Sequence, residues 1–294
     1  MPSGKDDQSL RIAVLGAGMS GLAAVAKLKQ AGYTQIDLFE KSDGVGGTWR
    51  DNTYPGCGCD VPSHLYSYSF FPNPDWSRKF APQSEIRVYF ERASAAFGLD
   101  PHMRYGCTVR ELIYDADAGA WDVGFVGGDR LTARVVISAV GQLSEPFSPV
   151  FDGQAAFGGR IVHTAEWTPD IDMTGKRVAM IGSAASAIQV LPHAAKAAKS
   201  LSVFQRTPNW IIPKPDRAFT GLEKWLFRHV PGYHWLYRTG SFALHESRWP
   251  AFRSGGLAAA YTRHRLTRRI KSQVKDEALL DQLLPDYAPG CKRI

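Results

Sequence analysis

The run Arg11-Ile-Ala-Val-Leu-Gly16-Ala-Gly18-Met-Ser20-Gly21 leaves this chain few ways to begin folding. A short apolar β-type segment ends in glycines at the first, third and sixth positions of a turn. The stretch from Leu22 to Gln30 that follows is rich in good helix formers. Gly32 supplies a helix stop, and Gln35-Ile-Asp-Leu-Phe-Glu40 reads as a second strand. Strand, tight turn, helix and strand make a βαβ unit, so the fold class is α/β. In such a turn the first glycine permits the bend. The second lets backbone approach a pyrophosphate, and the third lets helix and strand pack closely. The N–H groups and dipole at the helix start then favour the diphosphate. Glu40, 24 residues after Gly16, is placed to accept from a ribose 2′-hydroxyl.

A second unit repeats the plan with changes. Arg177-Val-Ala-Met-Ile-Gly182 reads as a strand, Ala184 to Lys199 as a helix, and Leu201 to Gln205 as a further strand. Its cradle is Gly182-Ser183-Ala184-Ala185-Ser186-Ala187. Ala184 replaces the middle glycine, while alanine is an allowed third residue. Arg206 lies 24 residues after Gly182, the spacing at which the first unit presents Glu40. A carboxylate repels a ribose 2′-phosphate, whereas a guanidinium grips it with a planar fork. One cradle therefore suits a nucleotide with a free ribose and the other suits NADP. Two different dinucleotides on one chain imply electron transfer between them, as in a flavoprotein fed by NADPH.

The expected architecture is two Rossmann-like dinucleotide-binding domains with a helical insertion. Residues 1–9 read as a flexible tail, 10–150 as the first segment of an FAD-binding domain, and 151–294 as an NADP-binding domain. The insertion covers about 216–286, where Trp225, Phe227, Trp235, Tyr237, Phe242 and Trp249 recur in a helical pattern. Between the two units, 43–64 is rich in Pro and Gly, a weaker β pattern follows, and 84–98 looks helical. Val109 to Phe125 resembles a hairpin, and Val135 to Val140 a buried strand closed by Gly141. The net charge of +7 is uneven: residues 214–294 hold 15 Lys and Arg against 7 Asp and Glu, and the rest of the chain holds 20 against 21. An excess confined to one helical segment reads as a solvated face, so no nucleic-acid partner is expected. Weak peripheral contact with a membrane is the alternative for the aromatic, basic insertion. No apolar run approaches the roughly 20 residues of a membrane span. Met1 to Leu10 is polar and lacks the apolar stretch of a secretion signal, which makes the cytoplasm the default location. The cysteines Cys57, Cys59, Cys107 and Cys291 form neither a CxxC pair nor a zinc-type double pair, so no metal is expected.

Between the cradles stands Gly46-Gly47-Thr48-Trp49-Arg-Asp-Asn-Thr-Tyr54-Pro55-Gly56-Cys-Gly-Cys-Asp60. This resembles the long fingerprint of class B flavoprotein monooxygenases, in particular the Baeyer–Villiger type, at each of its defined positions. A second family fingerprint is matched by Phe157, Gly159, His163 and Trp167. Thr168 departs from its last position, and Pro169 comes one step later. Tyr287 to Arg293 is similar to the segment that carries the family's active-site arginine. The resemblance implies FAD bound by Gly16, Gly18, Ser20, Gly21, Glu40, Gly47, Thr48, Trp49, Asp60, Tyr66 and Val109. It implies NADPH along Gly182, Ser183, Ala184, Ser186, Ala187 and Gln189, with Arg206, Thr207 and Lys292 at the 2′-phosphate. Arg293 would be the catalytic cation beside the cofactors and Asp60 its orienting carboxylate. His163 would couple domain motion to catalysis.

The reaction so implied uses NADPH to reduce FAD and O2 to form a C4a-peroxyflavin. That species attacks a ketone or aldehyde, and the adduct rearranges to an ester or lactone. A fixed cation stabilises the charge that develops in both steps. The alternatives are a flavin N- or S-oxygenase of the same superfamily and an inactive dinucleotide-binding fragment. A disulfide reductase needs a dithiol that the Cys57/Cys59 spacing does not supply. In the family the FAD domain is completed by a segment that returns after the NADP domain. The resemblance therefore implies a chain that lacks the C-terminal part.

Overall fold

The computed structural model describes residues 10–253 and 255–290; the tail at 1–9, Lys292 and Arg293 lie outside the described residues. The chain divides into two compact units. One takes the described part of Met1–Thr53 together with Gln83–Trp167. The other takes Tyr54–Pro82 together with the described part of Thr168–Ile294. This differs from a single cut near residue 150, because Tyr54–Pro82 groups with the later unit and residues 151–167 with the earlier one.

The first unit opens with β1 (Ile12–Leu15), α1 (Met19–Gln30) and β2 (Ile36–Phe39). All four β1 residues are buried, as a strand covered on both faces requires. Helix α1 buries Leu22, Val25 and Ala26, each full burial of a Val or Leu contributing about 1.5–3 kcal/mol. It stops at Gly32 (φ +91°), where Tyr33 N donates back to Leu28 O at 3.1 Å. The unit continues through α2 (Thr48–Asp51), α3 (Gln83–Ala96), β3 (Met103–Arg104), β4 (Val109–Asp115), β5 (Ala120–Phe125), β6 (Arg130–Ala133) and β7 (Val135–Ser138). Strands β3, β2, β1 and β7 form a parallel sheet in that order, and β4, β5 and β6 an antiparallel one. Ala13, Leu15 and Phe39 pack with Val123 and Ala133 where the two sheets meet. The hairpin expected over Val109–Phe125 is present, and β6 extends it. The strand expected to be buried, β7, is shorter and only half-covered, with Val135 and Ser138 exposed at its ends.

The second unit contains β8 (Arg177–Ile181), α4 (Ala185–Ala197) and β9 (Ser200–Phe204), a βαβ unit whose strands pair in parallel. Helix α4 runs through Pro192 without a break. The insertion is helical: α5 (Gly221–His229), α6 (Tyr233–Glu246), α7 (Trp249–Phe252), α8 (Leu257–Gln273) and α9 (Glu277–Leu283). A capping box sets the start of α5. Thr220 Oγ1 accepts from Glu223 N at 3.2 Å, and Glu223 Oε2 accepts from Thr220 N at 2.9 Å. The Arg217 guanidinium holds the Glu223 carboxyl down to about 2. The weak β pattern after residue 64 is not a strand. Prolines at 72, 74 and 82 remove ladder donors, and what forms is isolated bridges, Gly58 with Pro82 and Arg78 with Ala218.

Candidate functional site

In the first unit the glycine turn is built as the spacing requires. Gly16 has φ +100°, and a Cβ there would stand 2.6 Å from Ala139 O. A Cβ on Gly21 would stand 1.8 Å from Gly16 O, inside the strand–helix contact. Gly18 differs from both: its φ of −78° is open to any residue, and a Cβ would meet only Gly47 Cα, at 3.7 Å. The fold therefore leaves the slot above Gly18 empty without needing it empty, which fits close approach by a ligand. Gly47 (φ +52°) faces that slot from the turn that leads into α2. Gly46 N ties the turn to Ala17 O at 3.0 Å. No side chain caps the start of α1 and its first turn holds no acidic residue, while Ser20 is exposed there. The cradle fits a diphosphate.

Glu40 is buried, 7% exposed, directly after β2. Its Oε2 accepts from Ala17 N at 2.7 Å and its Oε1 from Ser42 N at 2.9 Å. Thr48 and Trp49 lie in the α2 turn, and the Gln83 side chain donates to Trp49 O. Val109 packs against the Ala13–Leu15–Phe39 cluster. His163 Nδ1 accepts from Ala165 N at 3.1 Å and so begins a single 3₁₀ turn. The chain leaves this unit at Thr53 and again at Trp167, and Thr53 Oγ1 donates to Trp167 O at 2.7 Å.

The second cradle repeats the first closely. Gly182 N donates to Phe204 O at 2.9 Å, as Gly16 N donates to Phe39 O at 2.7 Å. Ala184 has φ −75° and ψ −177°, against −78° and −170° at Gly18. Ile188 N bonds to Ala184 O at 3.0 Å, and Leu22 N to Gly18 O at 3.1 Å. The replacement of glycine by alanine is tolerated because the backbone at that place is ordinary extended chain. Ala187 is buried at the third position. Arg206 is exposed two residues beyond β9, whereas Glu40 follows its strand at once. Asn209, which the sequence reasoning missed, binds this loop: its Nδ2 donates to Ser183 O at 2.6 Å and reaches Ser183 Oγ at 3.1 Å. Thr207 O accepts from Ser183 Oγ at 3.5 Å, and Tyr287 OH donates to Pro208 O at 2.8 Å. Beside this loop is a cleft of about 510 Å³, bordered by Ser183, Gln205 and Asn209 on one side and by Arg269, Gln273 and Leu283 on the other.

Asp60 and Tyr66, expected at the flavin, fall in this second unit, where the fingerprint loop 54–60 lies on α4. A Cβ on Gly56 (φ +81°) would stand 2.5 Å from Gln189 O and 2.9 Å from His193 Nε2. Tyr54 OH donates to Gln189 Oε1 at 3.0 Å. Burial raises the Tyr54 phenol to about 12, against a lowering contact from Ser186. Gln189, expected at NADPH, turns its amide inward: Nε2 donates to Gly58 O at 2.9 Å and to Asp60 Oδ1 at 3.3 Å. Lys214, also missed, donates to Cys59 O at 2.9 Å and lies 3.6 Å from Asp60 Oδ1. Burial raises the Cys57 thiol above its ordinary value, which disfavours the thiolate that dithiol chemistry requires. Tyr66 N bonds to Pro62 O at 2.9 Å in a turn whose His64 is fully buried. Among the described residues no group of His, Cys, Asp and Glu is arranged to hold a metal, and no helix is long and apolar enough to cross a membrane.

Comparison with known proteins agrees with this geometry. The chain is 44% identical over 287 residues to a Baeyer-Villiger monooxygenase of Streptomyces coelicolor, covering 98% of this chain and 55% of that protein. It is 42% identical over 284 residues to a Baeyer-Villiger monooxygenase of Pseudomonas aeruginosa, covering 97% and 54%. The chain thus spans about half the length of the curated relatives it matches. Among solved structures, an oxidised steroid monooxygenase bound to NADP matches with TM-score 0.83 and 34% identity, over 97% of this chain and 62% of that one. Cyclohexanone monooxygenase from Rhodococcus sp. Phi1 bound to NADP+ matches with TM-score 0.84 and 28% identity, over 97% and 61%. Both likenesses extend through the two βαβ units, so the α/β class with paired Rossmann-like dinucleotide folds holds. Residues 9–220 match the family described as FMO-like, flavin-binding monooxygenase-like, and the chain belongs to that family.

Proposed function

We propose that this chain belongs to an NADPH- and FAD-dependent monooxygenase of the Baeyer–Villiger type. It would place one atom of O2 into a ketone or aldehyde to give an ester or lactone, with NADPH and a proton consumed and NADP+ and water released. The observation that carries the reading is the pair of cradles with matching backbone and opposite outer residues, a buried Glu40 and an exposed Arg206. FAD, once reduced by NADPH, supplies the activation of O2. The protein's part is to bind and orient. Gly18 and Gly47 leave room for a diphosphate, and Glu40 faces the first glycine loop. Arg206 and Thr207, with Lys292, receive the 2′-phosphate. Gln189 and Lys214 hold the loop that carries Asp60, and Asp60 orients Arg293, whose fixed positive charge stabilises the developing anion. The cytoplasm remains the proposed location, and a small carbonyl compound the proposed partner.

The test is the visible spectrum of the purified chain with FAD, before and after anaerobic addition of NADPH, followed by product analysis in air with a ketone, an amine and a sulfide. Bleaching and an ester product support the reading. An N- or S-oxide without ester moves it to the related oxygenases; flavin that NADPH leaves oxidised means that these residues alone are an incomplete enzyme, and the same result in a protein of the relatives' full length overturns the reading. Arg293→Ala should abolish oxygenation and spare FAD binding; normal product formation in that variant would remove the role given to Arg293.

A further inference from the structure

Lys214 does not sit as a surface lysine does. Its backbone lies between Pro213 and Pro215, so the segment has a fixed φ on one side and the pre-proline restriction at Lys214 itself. The residues that follow are zipped along 77–80. Arg78 pairs with Asp216 at 2.7 Å, Phe80 N donates to Asp216 Oδ1 at 3.2 Å, Lys79 N to Arg217 O at 2.9 Å, and Phe219 N to Ser77 O at 2.9 Å. The side chain therefore leaves from a rigid base. Its ammonium lies 5.2 Å from the centroid of the buried Phe80 ring, donates to Cys59 O at 2.9 Å and stands 3.6 Å from the Asp60 carboxylate. From the opposite element, α4, Gln189 takes the preceding carbonyl, Gly58 O, and the same carboxylate oxygen. Two elements thus grip consecutive carbonyls and one Oδ1.

We infer that Lys214 is a positioning residue of the active site, which with Gln189 fixes the Asp60 carboxylate; its catalytic consequence rests on the monooxygenase reading above. Lys214 and Asp60 are each about one-third exposed. An ion pair so exposed adds little to stability, so its arrangement is better explained by aiming a carboxylate than by holding the fold.

The test compares Lys214→Met, Lys214→Arg, Asp60→Asn and the double variant Lys214→Met/Asp60→Asn in the full chain with FAD. Lys214→Met should lower product formed per NADPH consumed by about fivefold, with the thermal midpoint and NADP+ dissociation constant nearly unchanged, and Lys214→Arg should restore most of it. The double variant should be no worse than Asp60→Asn alone. Normal coupling in Lys214→Met, failure of the arginine to rescue, or losses that multiply in the double variant would each overturn the inference. A wild-type chain that forms no product bears on the monooxygenase reading and not on Lys214, and amide exchange across 57–61 then decides about Lys214. Exchange faster in Lys214→Met and restored in Lys214→Arg supports the grip, whereas unchanged exchange overturns it.

Discussion

Glu40 Oε2 accepts the backbone N–H of Ala17 at 2.7 Å, inside the turn between Gly16 and Gly18. The carboxylate that follows β2 therefore closes the glycine loop. Its other oxygen accepts Ser42 N, yet a carboxylate offers about four acceptor sites, so a ribose hydroxyl can still be received. One buried side chain shapes the cradle and faces its contents.

Replacing Glu40 by Ala leaves the Ala17 and Ser42 amides without this acceptor in a buried turn. The expected cost is about 1–3 kcal/mol of stability together with weaker flavin binding. Glu40→Gln keeps one acceptor oxygen and should fall between. Thermal unfolding and FAD titration of the three proteins check this; equal midpoints would mean that the turn closes without the carboxylate.

The three glycines of the first cradle should respond differently to one added methyl group. Gly21→Ala drives a Cβ into the Gly16 carbonyl and should destabilise by about 3 kcal/mol or more. Gly18→Ala meets nothing closer than 3.7 Å and sits at the conformation that Ala184 already adopts in the second cradle. It should fold normally and lose flavin affinity. A Gly18→Ala protein that binds FAD as well as wild type would show that no ligand approaches that slot.

Both βαβ units were legible because each rests on local pattern: an apolar run, glycines at fixed spacing, a stretch of helix formers. The hairpin at Val109–Phe125 was legible for the same reason. The grouping of 54–82 with the second unit was not, since nothing in the residues of that stretch records which helix it will lie on. Gln189 shows the limit at the site. Its place after the second cradle suggests a cofactor contact, while its amide bonds to Gly58 and Asp60 depend on a fold that brings together residues more than 120 positions apart. Asn209 had a signal, a side-chain amide three residues after Arg206. Lys214, between two prolines, gave only the stiffness of its backbone. The β7 strand misled, because an apolar composition says how a strand pairs and not what covers it.

The imidazoles of His64 and His234 lie 2.8 Å apart, Nδ1 to Nε2. His64 is 1% exposed within a cage of Phe219, Phe227 and Tyr237, and its Nε2 has no hydrogen-bond partner among the described residues. Burial, then His234 and Arg238, push the His64 imidazole down to about 3 against a raising contribution from Glu223. Burial, then Arg238, lowers His234. Both rings therefore bind protons less readily in the folded chain than in the unfolded chain. For His64 the stability so gained is complete above the ordinary value near 6.5 and is lost as pH falls from there towards about 3, and His234 acts in the same direction. The thermal midpoint should drop between pH 7.5 and pH 5, and His64→Phe should flatten that slope. An equally steep slope in the variant would assign the pH dependence to other groups.

Arg206 tests the asymmetry on which the functional reading depends. It is exposed two residues beyond β9, one step later than the acid of the first unit stands after β2, at the same 24-residue spacing from the first glycine. If it receives the 2′-phosphate, the interaction is a charge-assisted one worth roughly 1.5–3 kcal/mol. Arg206→Ala should then raise the dissociation constant of NADPH by about 10–100-fold. NADH has no 2′-phosphate to lose, so its affinity should change little. Glutamate at this position should go further: it repels the phosphate and offers acceptors to a free ribose, moving the preference towards NADH. Stopped-flow reduction of the flavin by each nucleotide reads the outcome directly. A parallel loss for both nucleotides would mean that Arg206 supports the strand end rather than the phosphate, and the distinction between the two cradles would then have to come from Thr207 or Lys292.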